Sequence, residues 1–461
     1  MHKRYHLIGI GGIGMSGIAH LLMRSGIDVS GSDVKETGIT NELRNAGAKI
    51  FIGHLGSNID KADLIIYSSA IREDNPEVAK AKKLGIPLIK RAQALAQLMQ
   101  DKTVVTVAGS HGKTTTTSLV SYLFLEAGLM PTVAIGGILR NIDTNACFGN
   151  GEYFVAEADE SDGSFLYYRP KYSIITNIDR EHLDYYHDFD NELEAFGQFI
   201  RRTEDNGCLF CCDDDVHLKS LLKDCKNKYV LFGLTKNAHI YPKNILITGL
   251  NSEFDCYFND KFVDRFNLSL GGRHNVSNAL SVIALGLELG IDLGVIKKTL
   301  VNYKGAGRRL EIKFNNDQIT IIDDYAHHPT EIRATLAAVK NLEQKRVIAV
   351  FQPHRFTRTK LLLDEFGKCF GDADYVLVTD IYPASELPIE GVSAQALCDR
   401  IKLNYPQKEV LYLPKSEIVP HILEIIRPED LVITLGAGDI IKNCEELVER
   451  LKFESKVAGA A

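Results

Sequence analysis

The chain has 461 residues, which is too long for one compact core and predicts about three domains. Hydrophobic residues make up 45% and charged residues 25%, the balance of an ordinary globular protein, and the formal net charge is -7. Because lysines and arginines are scattered among acids, the sequence lacks the basic footprint of a nucleic-acid-binding protein.

Neither a membrane segment nor a disulfide scaffold is expected. The apolar run at residues 7–10 ends at glycines, and no stretch of about 18 apolar residues occurs, so we expect a cytoplasmic protein without membrane contact. The nine cysteines are too few for a disulfide framework in this length, and the group Cys208, Cys211 and Cys212 is interpreted as a buried strand. A monomer or weak dimer is expected.

Strand-like apolar runs alternate with helical patterns, which predicts an α/β protein with parallel sheets. The first predicted domain, residues 1–100, is Rossmann-like. Its strands are predicted at 5–10, 27–30, 64–68 and 86–89, and its helices at 16–25, 78–83 and 93–100.

The first glycine-rich motif lies between the first predicted strand and helix. Gly9, Gly11, Gly12 and Gly14 fit the pattern G-x-G-x-x-G, and Asp33 follows the second strand. This spacing indicates a diphosphate at the helix N-terminus, with Asp33 on a ribose if the ligand is a dinucleotide. The motif does not say which diphosphate binds, and a purely structural tight turn remains an alternative.

The second predicted domain, residues 101–304, is a central α/β domain of the P-loop ATPase type. Its strands are predicted at 103–108, 133–135, 153–156, 173–176, 208–212 and 229–232, followed by an antiparallel appendage at 240–270. A helix is predicted at 276–289 with Asn275 as its N-cap.

A second phosphate loop opens this domain, from Gly109 to Thr114, where a β-branched strand ends in a glycine turn and a helix begins. Backbone N–H groups at such a helix start point at phosphate oxygens. Lys113 supplies a charge to the β- and γ-phosphates, and the Thr114 hydroxyl can bind Mg²⁺. The loop is shorter than the strict Walker A pattern, because valine stands at position 107 instead of glycine. The motif predicts an ATP-using enzyme.

Acidic residues follow two further strands of the central domain. They are Glu157, Asp159, Glu160 and Asp162 after one strand, and Asp179 and Glu181, with His182, after the next. The carboxyl edge of a parallel sheet is also where the phosphate loop lies, and Mg²⁺ on ATP needs oxygen ligands there. Glu157, directly after its strand, is predicted to bind the metal, whereas Asp188 and Asp190 are interpreted as solvated surface residues.

The glycine-rich, charged segment 304–309 is interpreted as an interdomain hinge. Beyond it lies the third predicted domain, residues 305–461, a second Rossmann-like α/β unit. Its strands are predicted at 319–322, 346–351, 375–378, 409–413 and 431–435.

Two polar motifs of the third domain follow neighbouring predicted strands, one at residues 323–329 and the other at 352–358. Arg355 and Arg358, beside histidines, can form a receptor for a carboxylate or phosphate. A surface ion-pair cluster is the alternative.

Eight segments together resemble the Mur ligases of peptidoglycan synthesis. They are GIGGIGMSGIA at 9–19, SSAI at 68–71, AGSHGKTTT at 108–116, EADESD at 157–162, TNIDREH at 176–182, GGRHN at 271–275, DDYAHHPTEI at 323–332 and FQPHRFTRT at 351–359. The resemblance spans all three predicted domains in order. It is most specific for the branch that adds the first amino acid, L-alanine, to UDP-N-acetylmuramate.

The resemblance implies an ATP- and Mg²⁺-dependent ligase that forms an amide through an acyl phosphate. The implied contacts to the uridine diphosphate are Gly9, Gly11, Gly12, Gly14, Asp33, His54 and Ser69. The implied contacts to ATP are Gly109, Ser110, His111, Gly112, Lys113, Thr114, Thr115, His274, Asn275 and Asp324, and those to Mg²⁺ are Thr114, Glu157 and His182. Tyr325, His327, Arg355 and Arg358 are implied to orient L-alanine and the acyl phosphate.

The sequence departs from the family pattern in few places. Several sister ligases use a carbamylated lysine to bridge a second Mg²⁺, but residues 177–199 contain no lysine, so that device is absent. Three rivals remain: a ligase that adds a preformed tripeptide to the same sugar nucleotide, a nicotinamide-dependent oxidoreductase, and a nucleotide-gated binding protein. Gly14-Met15-Ser16 speaks against the first, the loop with Lys113 against the second, and His327 with Arg355 against the third.

Overall fold

The computed structural model describes residues 3–68, 70–316, 318–342, 346–384 and 386–458. The chain separates into two compact units, one of Met1–Asn244, Phe254–Asn267 and Val276–Ala306, and one of Ile245–Glu253, Leu268–Asn275 and Gly307–Ala461. The division after Ala306 falls inside the predicted hinge segment, and the first two predicted domains share one unit. Three separate α/β sheets confirm the fold class, while the boundaries at residues 100 and 304 stay predictions.

Five parallel strands form the first sheet, in the order β3-β2-β1-β4-β5. The strands are β1 (Arg4–Ile8), β2 (Asp28–Asp33), β3 (Lys49–Ile52), β4 (Leu64–Tyr67) and β5 (Leu88–Lys90), and the helices are α1 (Ile13–Arg24), α2 (Gly38–Asn45), α3 (Pro76–Leu84) and α4 (Arg91–Leu98). The strand order changes direction between β1 and β4, so the loops after these two strands open the crevice where such sheets bind ligands.

Local sequence sets both ends of α3. The Asn75 side chain accepts hydrogen bonds from Glu77 N at 2.9 Å and Val78 N at 3.4 Å, which satisfies two backbone donors of the first turn. Pro76 occupies the first turn, and Gly85 ends the helix with a φ of 68°. This start fixes Glu77 in the first turn, where its side chain is buried.

The central sheet has ten strands in the order β15-β14-β13-β12-β11-β10-β6-β9-β7-β8. The strands are β6 (Thr103–Ala108), β7 (Thr132–Leu139), β8 (Thr144–Cys147), β9 (Tyr153–Glu157), β10 (Tyr172–Ile175), β11 (Cys208–Cys212), β12 (Lys228–Phe232), β13 (Ile240–Thr248), β14 (Asn251–Phe258) and β15 (Lys261–Leu268). The helices are α5 (Lys113–Glu126), α6 (Leu183–Tyr186), α7 (Phe189–Arg201), α8 (Val216–Leu221), α9 (Arg273–Glu288) and α10 (Leu293–Asn302). Strand β6 lies between β10 and β9, and all three run parallel.

The predicted buried strand of cysteines is confirmed, because Cys208–Cys212 form β11 and the whole strand is buried. This burial raises the thiol pKa of Cys211.

The predicted N-cap of α9 is wrong. The helix begins at Arg273, directly after Gly272 with its φ of 97°, so Asn275 lies inside the first turn. There its side-chain amide donates to Gly271 O at 2.8 Å, and the glycine pair determines where the helix begins.

The third sheet has the order β16-β17-β21-β18-β19-β20, with β16 antiparallel to β17 and the other pairs parallel. The strands are β16 (Glu311–Asn315), β17 (Ile319–Asp324), β18 (Arg346–Phe351), β19 (Tyr375–Val378), β20 (Glu409–Tyr412) and β21 (Asp430–Leu435). The helices are α11 (Pro329–Val339), α12 (Phe356–Leu361), α13 (Leu363–Phe366), α14 (Ala394–Asn404), α15 (Lys415–Ile425) and α16 (Ile441–Ala458). Apolar clusters cover both faces of this sheet. Among the helices of the described residues, none has the length and apolarity that a membrane span requires.

Candidate active site

The first glycine loop joins β1 to α1 and is held by Asp33 at the end of β2. Gly11 N donates to Asp33 Oδ2 at 2.8 Å, and Val34 N donates to Asp33 Oδ1 at 2.8 Å. A Cβ atom on Gly11 would lie 2.8 Å from Asp33 Oδ2, so this close approach requires glycine. Asp33 therefore supports the loop directly, and its contact with a ligand stays a prediction.

His54 contacts the buried carboxylate of Glu77, which the sequence did not point to. His54 Nδ1 is 2.9 Å from Glu77 Oε2, and the Ser32 hydroxyl donates to the same oxygen at 2.6 Å. Burial by itself would raise the pKa of Glu77, but hydrogen bonds from His6, Ser32 and Asn58 outweigh it and hold this pKa below its usual value. The carboxylate therefore fixes the orientation of the His54 ring. Ser69, also predicted to bind the nucleotide, lies outside the described residues.

The second phosphate loop follows β6 and ends where α5 begins at Lys113. Gly109 and Gly112 have φ values of 126° and 83°, a region that favours glycine. A Cβ atom on Gly109 would collide with the Thr176 hydroxyl, and one on Gly112 would lie 2.9 Å from Asn278 Oδ1. The predicted strand–loop–helix arrangement is confirmed.

Ser110 and His111 attach this loop to the segment after β10. Asp179 N donates to the Ser110 hydroxyl at 2.8 Å, and His111 N donates to Asn177 Oδ1 at 2.9 Å. His111 Nε2 lies 2.9 Å from Asp179 Oδ2. Asn177, which sequence reasoning left without a role, therefore helps to hold the loop, and the TNIDREH motif was the signal for it.

Lys113 is a partly buried cation surrounded by acceptors. Its ammonium donates to Gly109 O at 2.6 Å, Ser110 O at 3.1 Å and Glu160 Oε1 at 2.7 Å. Burial lowers the pKa of Lys113, but the nearby carboxylates, Glu160 foremost, outweigh that effect and raise this pKa well above its usual value. The loop therefore carries a fixed positive charge at its helix end.

Glu157 faces the phosphate loop, as predicted, although it is the last residue of β9 and does not follow the strand. The Thr114 hydroxyl donates to Glu157 Oε1 at 3.2 Å, and Gly136 N donates to Oε2 at 3.0 Å. Burial raises the pKa of Glu157, with Lys113 opposing this shift. A hydroxyl and a carboxylate beside a phosphate loop are oxygen ligands of the kind that Mg²⁺ prefers. These residues fit the metal, and their role as its ligands stays a prediction.

His182 contacts two acids of the same edge. Its Nε2 atom lies 3.4 Å from Glu160 Oε1 and 3.6 Å from Glu181 Oε2. One ligand atom from each of these three residues falls within 4.8 Å of the others. Glu160 thus touches both Lys113 and His182, a link that sequence reasoning did not assign although the acid was noted.

The two motifs of the third domain come together at the carboxyl edge of its sheet, although β21 separates β17 from β18. The His327 ring lies 5.4 Å from the Tyr325 ring and 5.7 Å from the His354 ring, both edge to face. Arg358 Nη1 lies 3.3 Å from His354 Nδ1. Burial first, and then electrostatic interactions with His327 and the two arginines, lower the pKa of His354 strongly. Neutral His354 therefore accepts a hydrogen bond from Arg358, a role that sequence reasoning missed.

Arg355 directly precedes α12 as its N-cap residue and has a φ of 69°, which is uncommon for a residue with a side chain. Its backbone N donates to Tyr382 O at 2.8 Å. Non-glycine residues in this conformation persist where the surrounding structure holds them and concentrate at functional sites. The observation favours a positioned arginine over a loose surface cluster.

Asp323 and Asp324 lie inside β17 and not after it, which corrects their predicted place. Asp324 is buried and accepts hydrogen bonds from Leu310 N at 2.7 Å and Ala326 N at 2.8 Å. Burial raises the pKa of Asp324 to about 6, and the charge of Arg309 opposes this shift.

Two arginines of the predicted hinge lie beside Tyr325. The guanidinium groups of Arg308 and Arg309 are each 5.1 Å from the centre of the Tyr325 ring, so the hinge segment contributes to the surroundings of this side chain. The predicted contacts of Asp324, His274 and Asn275 with ATP stay predictions.

Comparison with known proteins gives matches along almost the whole chain. Models described as "Mur ligase family, catalytic domain", "Mur ligase middle domain" and "Mur ligase, glutamate ligase domain" match residues 4–103, 107–286 and 308–438. A protein named UDP-N-acetylmuramate–L-alanine ligase from Geotalea uraniireducens is 45% identical over 451 residues, with 98% of both chains covered. One of the same name from Desulfatibacillum aliphaticivorans is 47% identical, with 95% of this chain and 97% of that protein covered.

Solved structures of Mur ligases also superpose on almost the whole chain. A UDP-N-acetylmuramate–alanine ligase from Thermotoga maritima superposes with a TM-score of 0.85 and is 32% identical, covering 98% of this chain and all of its own. A murein peptide ligase from Psychrobacter arcticus superposes with a TM-score of 0.74 at 24% identity, covering 97% of this chain and 98% of its own, and shows the shared fold.

Proposed function

The chain belongs to the Mur ligase family, and on this basis we propose that it joins L-alanine to the carboxylate of UDP-N-acetylmuramate at the expense of ATP. The observation that carries the proposal is the 45% identity to a ligase of that name along 98% of the chain. The reaction makes an amide for peptidoglycan. We further propose that the enzyme works in the cytoplasm as a monomer or weak dimer, with domains at residues 1–100, 101–304 and 305–461.

In the first step that we propose, the substrate carboxylate attacks the γ-phosphorus of ATP, ADP leaves, and an acyl phosphate forms. Lys113 would hold the oxygens of the transferred phosphoryl group, since its ammonium remains charged. The N–H groups of the loop from Gly109 to Thr114 would bind the remaining phosphate oxygens at the start of α5.

We propose that Mg²⁺ is held by Thr114 and Glu157, with His182 as a further ligand. The arrangement of the first two supports this, because the Thr114 hydroxyl already lies 3.2 Å from Glu157 Oε1. When bound, the metal neutralises phosphate charge. The carboxylate of Glu157 would in turn orient Thr114 toward the phosphates.

In the second step, the L-alanine amine attacks the acyl carbon, and phosphate leaves from the tetrahedral intermediate. The alanine carboxylate must be held while its amine approaches. We assign this role mainly to Arg358, with Tyr325 and His327 beside it, and the phosphoryl oxygens mainly to Arg355. A guanidinium fork binds either group in two-point fashion.

Replacing Arg358 with lysine is expected to raise KM for L-alanine by about tenfold while KM for ATP changes little, because a point charge does not reproduce the fork. Replacing Arg355 with lysine is expected chiefly to lower kcat. Steady-state kinetics with each substrate varied in turn measures both effects. Wild-type alanine kinetics in both variants would show that these arginines are a surface ion-pair cluster.

The activity is tested by phosphate release from ATP in the presence of UDP-N-acetylmuramate, with L-alanine, L-serine, glycine or tripeptide added in turn. We expect the fastest release with L-alanine and none above background with the tripeptide. Release with the tripeptide alone would assign the chain to the recycling branch of the family.

The first domain is expected to bind UDP-N-acetylmuramate and not NADH. The loop from Gly9 to Gly14 suits either diphosphate, but the phosphate loop at Lys113 indicates an enzyme that activates its substrate with ATP. Calorimetric titration of both ligands should give binding heat with the sugar nucleotide only. Tight NADH binding without sugar-nucleotide binding would support the oxidoreductase reading.

A further inference from the structure

Arg91 lies between the two phosphate loops, although none of its sequence neighbours belongs to a recognised motif. It is the first residue of α4 and directly follows β5. Strands β1, β4 and β5 run parallel, so Arg91 and the glycine loop after β1 occupy the same edge of the first sheet. The Arg91 guanidinium lies against Gly14, the last glycine of the motif and part of the first turn of α1, because a Cβ atom on Gly14 would be 2.8 Å from Arg91 Nη1.

The other side of the guanidinium faces the acidic segment after β9. Arg91 Nη2 donates to Asp159 Oδ2 at 3.3 Å, and Asp159 Oδ1 accepts from Ser161 N at 3.0 Å. Asp159 also lies close enough to Lys113 for their charges to interact. The Arg91 side chain thus connects the first glycine loop to the acids around the second loop.

The ion pair with Asp159 uses few of the hydrogen-bond donors of Arg91. A guanidinium has five N–H donors in a planar fork, and a carboxylate commonly takes two of them. Within the part of the chain that the structure describes, Asp159 is the side-chain hydrogen-bond partner of Arg91, through one contact at 3.3 Å. The side chain is 24% exposed.

We propose that Arg91 binds the diphosphate of the sugar nucleotide and so positions that substrate toward the second loop. The inference rests on the proposed function and adds a residue to it. A diphosphate fits better than the muramate carboxylate, because the guanidinium lies at Gly14, where the glycine motif and the first turn of α1 already favour phosphate oxygens. Asp159 holds the guanidinium in place from the opposite side.

The test measures binding by calorimetry, with UDP and UDP-N-acetylmuramate as separate probes. UDP has the diphosphate and lacks the carboxylate. We expect Arg91→Ala to weaken both ligands by about 10- to 100-fold, the range for a lost charge-assisted hydrogen bond. Arg91→Lys should restore part of the affinity, and KM for ATP should change little.

Two further variants separate binding from structural effects. Arg4→Ala is the matched control, since Arg4 is an exposed arginine at the opposite, amino end of β1 and pairs with Asp63 at 2.9 Å, and it should stay within about twofold of wild type. Asp159→Asn breaks the ion pair but keeps the guanidinium, so it should retain most of the UDP affinity. A loss in Asp159→Asn equal to that in Arg91→Ala would show that the ion pair acts only as a structural link.

Two other results of the affinity measurements would contradict the assignment of Arg91 to the diphosphate. If Arg91→Ala weakens UDP-N-acetylmuramate but leaves UDP unchanged, the arginine binds the carboxylate and the inference is wrong. If neither ligand is weakened, it is wrong as well. The proposed function is tested separately, by ligation. If the wild-type protein binds UDP-N-acetylmuramate but does not ligate L-alanine, the proposed function is wrong, whereas the affinities of the Arg91 variants still decide whether Arg91 binds the diphosphate.

Discussion

Replacing Lys113 with alanine is expected to lower kcat by at least about a hundredfold, or roughly 3 kcal/mol of transition-state stabilisation. The lysine ammonium is charged and is held by hydrogen bonds to Gly109 O, Ser110 O and Glu160 Oε1. A charge held in this way needs no reorganisation when the phosphoryl group is transferred, and alanine cannot replace it. The measurement is coupled phosphate release at saturating substrates.

The same substitution removes the partner of a buried carboxylate, so its control must address Glu160. Removing one partner of a buried ion pair costs about 3–5 kcal/mol of stability, and Glu160 then keeps its contact with His182 at 3.4 Å. The double variant Lys113→Ala/Glu160→Gln removes the charge of Glu160 as well. We expect it to unfold at a higher temperature than Lys113→Ala while its kcat remains low. Near-normal ligation in either variant would contradict the assigned role of Lys113.

Local patterns predicted the two phosphate loops well. In both, a buried strand, a run of glycines and the start of a helix follow one another within about 15 residues, so the signal does not depend on distant contacts. The positive φ values of Gly9, Gly109 and Gly112 show why glycine stands at these positions. The orientation of Glu157 was also predictable, because the carboxyl ends of parallel strands meet at one edge.

The residues that were missed depend on partners far apart in the sequence. Arg91 and Asp159 are 68 positions apart, and His54 and Glu77 are 23 apart. His354 gave no signal by itself, because its neutral state results from burial and from charges on other elements. A local sequence pattern cannot specify such pairs, because the two partners come together only when the chain folds.

Three strands were missed for a different reason. Strands β3, β8 and β16 have four or five residues and are mostly half-buried or exposed, so the alternation of apolar and polar residues is weak. All three lie at the edge of a sheet. Edge strands are covered on fewer sides, and their sequences are therefore under less pressure to be apolar.

Replacing Glu157 with glutamine is expected to lower kcat by at least about a hundredfold and to raise the Mg²⁺ concentration needed for half-maximal activity. The substitution keeps the size of the side chain but removes the charge that a divalent cation requires. The glutamine can still meet the Thr114 hydroxyl and Gly136 N through its carbonyl oxygen, although it offers one acceptor where the carboxylate uses two.

The change in metal affinity can be measured without turnover, by following Mn²⁺ binding to the ATP-loaded protein with electron paramagnetic resonance. Asp190→Asn provides the matched control, because Asp190 is an exposed acid in the first turn of α7 and was interpreted as a solvated surface residue. We expect this control to bind Mn²⁺ as the wild type does, whereas Glu157→Gln should bind it at least about tenfold more weakly. Because Glu157 is partly buried and interacts with Lys113, a stability effect must be separated from a metal effect. Thermal unfolding without ATP or metal measures the stability effect alone. If Glu157→Gln binds Mn²⁺ normally but loses activity, the carboxylate acts by orienting Thr114, and its assignment as a metal ligand is wrong.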